Sequence, residues 1–486
     1  MRTERPAIRG AVSSGDAGQI PGIRVHYVDW LRALAVLGVF VYHSLQPFST
    51  HDWHVKNDQL SDAIDGVISF VDPWGIAFFF LIAGASTFLA LRWRTTGQYL
   101  RERLMRLLVP LVVAYLLLSP VQAYIEERHF GRYTGSFVSG LPLFFQEVWS
   151  NLRETMSHPL LVDRTYHLWF VVFLLWLSLL GLPLFLWLRG PEGRRLSAWL
   201  GDRAGRRGSI LLFAVPVALV PLTVLPLWPE AEDWGTFVYL FGFFVAGYVL
   251  MSDPRLMDAV RRGVVPALCL AIVGDVAILL TGVPAFVDRW QDAPSYSWTY
   301  AWAFFLIGVQ AWAWVQVLLG LGMRALWFQR PLPRPVAAAA MPFFIVHQPV
   351  ILTIAFFVVR WDAGIVVKWG VIVVGSFALT AAVATTLARL PIVSMMFGVK
   401  RGTRSVTPAR TRRPAGPSVT DEPIGTPDSL NQLLGRTDGR EPSRAPRWAT
   451  CPLSAEAGQC WFPRFPCLDG VAVDDHVELR VPQVAA

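Results

Sequence analysis

His43, His347 and Asp275 stand inside apolar runs, and Asp29, Arg32 and His167 stand near the ends of such runs. Ionisable side chains are expensive in hydrocarbon, so each is a candidate for proton transfer, ion coupling or a buried polar contact. In YVDWLRALAVLGVFVYHSLQPF, Arg32 and His43 are eleven residues apart. On a helix that is three turns plus roughly 20°, and about 16 Å along the axis, so both side chains share one face. Taken singly, Arg32 equally fits a snorkelling anchor and His43 a hydrogen-bonded residue between helices. His347, in MPFFIVHQPVILTI, falls at nearly the same depth as His43, and two imidazoles at one depth form a candidate site. His167 opens HLWFVVFLLW, where an interfacial anchor and a functional residue are both reasonable. Asp275 in AIVGDVAILL has no charged partner near in sequence and reads as a helix-packing polar contact.

A second group lies in YLRERLMRLLVPLVV, where Arg103 and Arg106 are three apart and on a helix would face the same way. Two guanidinium forks so placed suit phosphate oxygens, whereas Arg92 and Arg94 are explained by orientation in a membrane alone. Just before them, Gly84, Ala85 and Ser86 offer a small-residue surface that either a neighbouring helix or a ligand's thin chain could approach.

The elements that must position these residues are membrane helices. The chain has 486 residues, 54% hydrophobic and only 16% charged, with a mean hydropathy of +0.43, a balance foreign to a water-soluble surface. Twenty-one Trp and 31 Phe fit aromatic belts, and the absence of alternating strand patterns excludes an outer-membrane barrel. The expected fold is therefore an all-α integral membrane protein. Runs of the required ~20 residues occur near 31–48, 72–91, 107–125, 167–188, 209–228, 234–252, 263–283, 299–323, 336–359 and 365–388, about ten transmembrane helices. Prolines 216, 221 and 226 weaken the fifth, and Pro342 and Pro349 predict a kink or re-entrant break in the ninth.

Arginines alternate between loops: Arg92 to Arg106, Arg189 to Arg207, Arg255 to Arg262 and Arg324 to Arg334 fall on one side, which is predicted to be cytoplasmic. The opposite side carries Asp52, Asp58, Asp62, Asp65 and Asp72, and a long, partly apolar 126–166 loop that is a candidate lid. Ten spans put both termini inside, in a multi-pass protein of the cytoplasmic (inner) membrane. Residues 1–25 are polar and read as a disordered cytoplasmic N-terminus without a cleavable signal. Residues 401–486 have the composition of a disordered cytoplasmic tail. Cys269, Cys451, Cys460 and Cys467 make neither a disulfide framework nor a zinc spacing, and no metal-ligand cluster is present. The formal charge of +8 is spent on membrane orientation, so the lipid bilayer and not nucleic acid is the expected partner.

Taken together, DWLRALAVLGVFVYHS, FFFLIAGAS, RERLMRLLVP, HLWFV and FFIVHQP resemble, in order and spacing, the acyltransferase-3 family of multi-span membrane acyltransferases, over roughly 26–395. The DWLRALAV opening and the HSxxPF continuation are most similar to its glucan-modifying, succinyltransferase-like branch. FFLIAG departs from the family's usual Phe-Phe-hydrophobic-Ser-Gly string, and the tail does not resemble the hydrolase-like domain some members append. The resemblance implies O-acyl transfer across the membrane. An acyl-coenzyme A donor would bind from the cytoplasm, and a carbohydrate or glycolipid acceptor hydroxyl would come from outside. It implies Arg32, Arg103 and Arg106 as the coenzyme A phosphate-binding residues, His43 as general base, and His347 as a second catalytic residue that orients the acceptor or helps the leaving thiolate. The competing class is a ten-span proton-coupled transporter or exporter, against which the lack of matching sequence halves counts. A membrane scaffold, whose polar residues only pack helices, is the third.

Overall fold

The computed structural model describes residues 26–157, 165–206, 208–224, 227, 234–280, 297–326 and 331–399, among which there is no strand. The expectations for 1–25, for 401–486 and for the three tail cysteines lie outside the described residues. Cys269 is an exposed free thiol. In chain order the helices are α1 His26–Leu45, α2 Asp62–Trp93, α3 Thr96–Arg103, α4 Val109–His129, α5 Phe137–Ser157, α6 Trp169–Leu180, α7 Leu182–Arg189 and α8 Pro191–Ala204. They continue as α9 Ala214–Thr223, α10 Trp234–Ser252, α11 Pro254–Arg262, α12 Val264–Leu280, α13 Trp298–Ala325, α14 Arg334–Val358, α15 Ile365–Arg389 and α16 Pro391–Met396.

Seven helical segments among the described residues are long and apolar enough to cross a bilayer: His26–Phe48, Asp62–Trp93, Thr96–His129, Trp234–Ser252, Tyr300–Ala325, Arg334–Val358 and Ile365–Arg389. Two bent pairs, Tyr166–Leu180 with Leu182–Arg189 at 47° and Pro254–Arg262 with Val264–Leu280 at 60°, bring the number among the described residues to as many as nine when each pair is counted as one broken span. These correspond to nine of the ten expected runs. The remaining one, 209–228, forms an apolar helical stretch only from Ser209 to Thr223, which at 1.5 Å per residue is about 22 Å, short of a ~30 Å hydrocarbon layer. The ninth run is one continuous helix, α14, despite Pro342 and Pro349.

The tightest crossing joins α2 to α10. A methyl group added at Gly84 would lie 1.8 Å from the Phe244 carbonyl oxygen, and one at Gly247 1.9 Å from that of Leu81. The small residues of FFFLIAGAS therefore seat a helix backbone, not a ligand. A large apolar core surrounds this contact, with Phe80, Phe173, Phe243, Phe244 and Trp312 fully buried. A second core gathers Phe40 of α1, Ile125 of α4, Ile351 and Leu352 of α14 and Ile372 of α15.

The turn after α1 and the following loop, 49–61, are pinned at many points. Asn57 N and Ser61 N donate to the Pro47 and Phe48 carbonyls at 2.8 and 2.9 Å. The buried Lys368 amine donates to Asn57 Oδ1 and to the Val359 carbonyl, both at 2.9 Å. The Lys56 amine donates to the carbonyls of Gln46, Ser49 and His51. Burial pushes that ammonium below its ordinary range, and Asp65 and Asp52 offset part of the effect. His54 and Glu126, 2.7 Å apart, fasten the loop to the end of α4.

Loop 49–61 reaches the histidines through Trp53, whose ring lies 5.3 Å from that of His43. The 126–166 connection contributes α5, which lies along α4 through Phe144 and Val148, with the Tyr115 hydroxyl donating to the Val148 carbonyl at 3.4 Å. Residues 158–164 lie outside the described residues. Asp62 and Asp65, expected in a loop, belong with Asp72 to α2, where Asp72 accepts from the Tyr42 hydroxyl at 2.6 Å.

Candidate functional site

His43, two residues before the end of α1, and His347, midway along α14, meet directly. His43 Nδ1 is 2.9 Å from His347 Nε2, and the ring planes are parallel to within 3° with centroids 5.1 Å apart. The partners assign the tautomers. His347 Nδ1 bonds the Phe344 carbonyl one turn back on its own helix, and a carbonyl only accepts. His347 Nδ1 therefore carries the proton and its Nε2 offers a lone pair. His43 Nδ1–H donates to that lone pair, which leaves His43 Nε2 as a bare acceptor. A neutral imidazole so fixed can take a proton from a hydroxyl placed against Nε2.

The structure brings His167 to the same place. Its ring stands edge-on to His347 with centroids 5.0 Å apart, and its Nε2–H donates to the Ile345 carbonyl at 2.8 Å. The preceding Tyr166 has φ 52°, the one non-glycine residue with positive φ among the described residues. Such strain persists where the surroundings over-determine it, and here it turns the chain so that His167 points inward. The sequence offered an interfacial anchor as the alternative for His167, and its burial removes that alternative.

Sequence reasoning missed Trp53, whose spacing from His43 lies across a loop and follows no helical period. Its ring is 5.3 Å from that of His43, its indole N–H is buried without a hydrogen-bond partner, and His54 packs beside it at 4.8 Å. The His54 ring in turn meets Tyr166 at 4.8 Å. A row of rings thus runs from the buried histidine pair to the His54 and Glu126 pair at the end of α4.

At the basic end, Arg32 donates to Ser86 Oγ and pairs with Asp29 at 3.4 Å. Arg103 donates to Thr87 Oγ1 at 2.8 Å and lies over the Tyr99 ring at 5.0 Å. Ser86 and Thr87 are consecutive on α2, so guanidinium groups from α1 and α3 converge on one step of that helix. Arg106 makes its bonds elsewhere. A π turn over Leu104–Leu108 follows Arg103 and winds the chain more widely than an α-helix. Arg106 instead pairs with Glu102 at 3.3 Å and donates to the Gly398 carbonyl at 3.3 Å. Glu102 also holds Arg94 at 2.7 Å. Arg32 and Arg106 remain 45% exposed, within reach of an anion.

Asp275 accepts from the Gln310 side-chain amide and, at 3.1 Å, from Trp314 Nε1. It ties α12 to α13, as a packing contact would.

Residues 25–389 match a family model described as an acyltransferase domain. Similar proteins include the glucans biosynthesis protein C of Salmonella heidelberg (strain SL476) and that of Salmonella typhi. Each is 21% identical over 346 residues, covering 68% of this chain and 84% of its own length. No solved structure matches the chain.

Proposed function

The chain belongs to the acyltransferase-3 family and is a multi-pass membrane acyltransferase, and from that premise we propose that it moves an acetyl- or succinyl-class group from cytoplasmic acyl-coenzyme A to a hydroxyl of an extracytoplasmic glycan. The observation that carries the proposal is the histidine pair whose hydrogen bonds leave His43 Nε2 bare. In this reading the basic end is cytoplasmic, and Arg32 and Arg103 hold phosphates of the donor, with Arg106 at the edge of the same surface. The pantetheine arm then covers the ~16 Å of α1 between Arg32 and His43.

The acceptor hydroxyl gives its proton to His43 Nε2 as its oxygen attacks the thioester carbonyl. The new C–O bond forms, the C–S bond breaks, and the departing thiolate takes the proton back from His43 Nε2. Coenzyme A leaves as the thiol and the imidazole returns to its starting state. His347 Nε2 accepts from His43 Nδ1–H throughout, which holds the ring and stabilises its transient positive charge. The names of the similar proteins support a glucan as the acceptor class.

The test is transfer of label from radiolabelled acetyl- or succinyl-coenzyme A, offered to the basic face of the protein in inside-out vesicles, into an alkali-labile glycan product. Transfer by the wild type and its loss in His43→Ala at equal protein level is the expected result. Undiminished transfer by His43→Ala would remove His43 from the mechanism. Absence of any transfer together with proton-coupled solute flux would replace the enzyme with the transporter.

A further inference from the structure

Polar side chains join α1 to α2 at two levels. At the basic end Arg32 donates to Ser86 Oγ, and further along α1 the Tyr42 hydroxyl donates to Asp72 Oδ1 at 2.6 Å. Ser86 and Asp72 are fourteen residues apart, four turns less about 40°, so one face of α2 carries both, with Phe79 between them. The Phe79 ring meets Phe170 of α6 at 5.4 Å, Phe170 meets Phe344 of α14 at 5.5 Å, and Phe344 meets His347 at 5.6 Å. That face of α2 therefore looks on to α1, α6 and α14, and α1 and α14 carry the histidine pair.

Asp72 keeps acceptor capacity and stands where a ligand can reach it. Oδ1 accepts from Tyr42, Oδ2 accepts from no group among the described residues, and the residue is exposed. The 32 residues of α2 make about 48 Å, more than the ~30 Å of a hydrocarbon layer. Counted back from Trp93 at its basic end, some 20 residues fill that layer and bring Asp72 to its opposite edge, beside water. Thr50 of loop 49–61 donates to Asp65, two turns earlier on α2, so the loop and the carboxylate share that end. Tyr42 is the chain neighbour of His43, with ring centroids 5.6 Å apart, and His43 is itself only half-buried. Asp72 thus lies one phenol ring and one hydrogen bond from the His43 ring, a reach that a pyranose with a hydrogen bond at either side covers.

We infer that Asp72 binds the acceptor: Oδ2 takes a hydrogen bond from a hydroxyl near the one that gives its proton to His43, and Tyr42 holds the carboxylate in place. The inference rests on the acyl-transfer reading and adds which substrate portion the site selects, an uncharged ring with at least two hydroxyls. An ionised carboxylate only accepts, so it asks for a donor, and a hydrogen bond to a charged acceptor is among the stronger ones. A sugar hydroxyl fits, whereas a phosphate or carboxylate on the acceptor is repelled. The same charge keeps the donor substrate from this place. Its phosphates belong with Arg32 and Arg103, which bond the adjacent Ser86 and Thr87 at the other end of α2. One helix thus sorts the two substrates, with hydroxyls at Asp72 and phosphates near Ser86.

The experiment uses the full chain in nanodiscs, with Asp72→Ala, Asp72→Asn and Tyr42→Phe. Acetyl- or succinyl-coenzyme A is the donor, and a glucose oligosaccharide and its monodeoxy analogues are the acceptors. KM values for both substrates are read alongside thermal midpoints. Asp72→Ala should raise the oligosaccharide KM by about 10- to 100-fold, the range for a charged hydrogen bond, with the donor KM within twofold. Asp72→Asn keeps an oxygen without the charge, and Tyr42→Phe keeps the carboxylate but frees it, so each should raise that KM by about 3- to 10-fold. The deciding readout is the acceptor that lacks the bound hydroxyl. With the wild type one monodeoxy analogue should be about 10-fold poorer than the parent, a difference that shrinks in Asp72→Asn and vanishes in Asp72→Ala. A merely structural role lowers the midpoint and weakens all acceptors alike. Unaltered discrimination among the analogues in every variant, or a donor KM that rises alone, overturns the assignment and leaves acyl transfer standing. So does a wild-type oligosaccharide KM that climbs to the Asp72→Ala value when sodium and potassium are replaced by N-methylglucamine, the mark of a cation site. A wild type that transfers no acyl group sinks the transfer reading. In that case a thermal shift by the oligosaccharide that is lost in Asp72→Ala upholds the binding role, and no shift overturns both.

Discussion

Pro349 has no amide proton to return to the Ile345 carbonyl four residues back, and His167 donates its Nε2–H to that oxygen at 2.8 Å. The helix break that Pro349 threatened is repaired from outside the helix by a side chain of the candidate site. Pro349→Ala restores a backbone donor that competes for the Ile345 oxygen. Helix stability should hold or improve, while His167 loosens and kcat falls by roughly 3- to 10-fold, the scale of one hydrogen bond. Steady-state kinetics alongside a thermal melt separates this from a fold defect.

His347→Ala removes the acceptor of His43 Nδ1–H and lets the ring turn. Misplacement of a reacting group by about 1 Å costs on the order of 100-fold, so kcat should drop by 10- to 100-fold with the substrate KM values little changed. His347→Gln, which can still offer an oxygen to His43, should recover part of the rate. Equal losses in both variants would show that His347 acts as more than an acceptor.

The arginines should separate according to their partners. Arg103→Ala and Arg32→Ala should each raise the acyl-coenzyme A KM by about 10- to 100-fold, the range for a charged hydrogen bond. Arg106→Ala should raise it less, because Arg106 is shared with Glu102 and the Gly398 carbonyl. Donor titrations at saturating acceptor measure all three, and a larger effect for Arg106 than for Arg103 would contradict the assignment drawn from their partners.

The α2 and α10 crossing leaves no space for a methyl group at Gly84. Overpacking of this kind costs about 1–3 kcal/mol, and here the obstacle is backbone that cannot swing aside. Gly84→Ala should lower the melting temperature by several degrees and reduce the folded yield in detergent. Gly38→Ala, on α1 with nothing within 4 Å, should leave the melt unchanged or slightly improved. Fluorescence-detected thermal unfolding of the two variants provides the comparison.

Asp275 is held by Gln310 and Trp314. Asp275→Asn retains an oxygen for both donors, so acyl transfer should stay within twofold of wild type. A loss of activity beyond tenfold at an unchanged melting temperature would give Asp275 a role in proton movement and revive the transporter reading.

The apolar runs, the arginine clusters and the eleven-residue step between Arg32 and His43 are local patterns, and local patterns suffice to identify membrane helices. They also put His43 and His347 at one depth, because depth along a helix is counted in residues. The contact between the two imidazoles, the burial of His167 and the approach of Trp53 depend on how α1, α14, the Tyr166–Leu168 turn and loop 49–61 pack. No spacing encodes that, since the residues lie up to 304 positions apart. The same holds for the arginine pair. A three-residue spacing predicts one shared face only on a regular α-helix, whereas Leu104–Leu108 is a π turn that packs against α6 and, through Arg106, bonds the Gly398 segment. Sequence thus determined which residues are costly to bury and at what height they stand. Tertiary structure alone decided which of them meet, because side-chain direction around a helix has meaning only relative to the neighbours it faces.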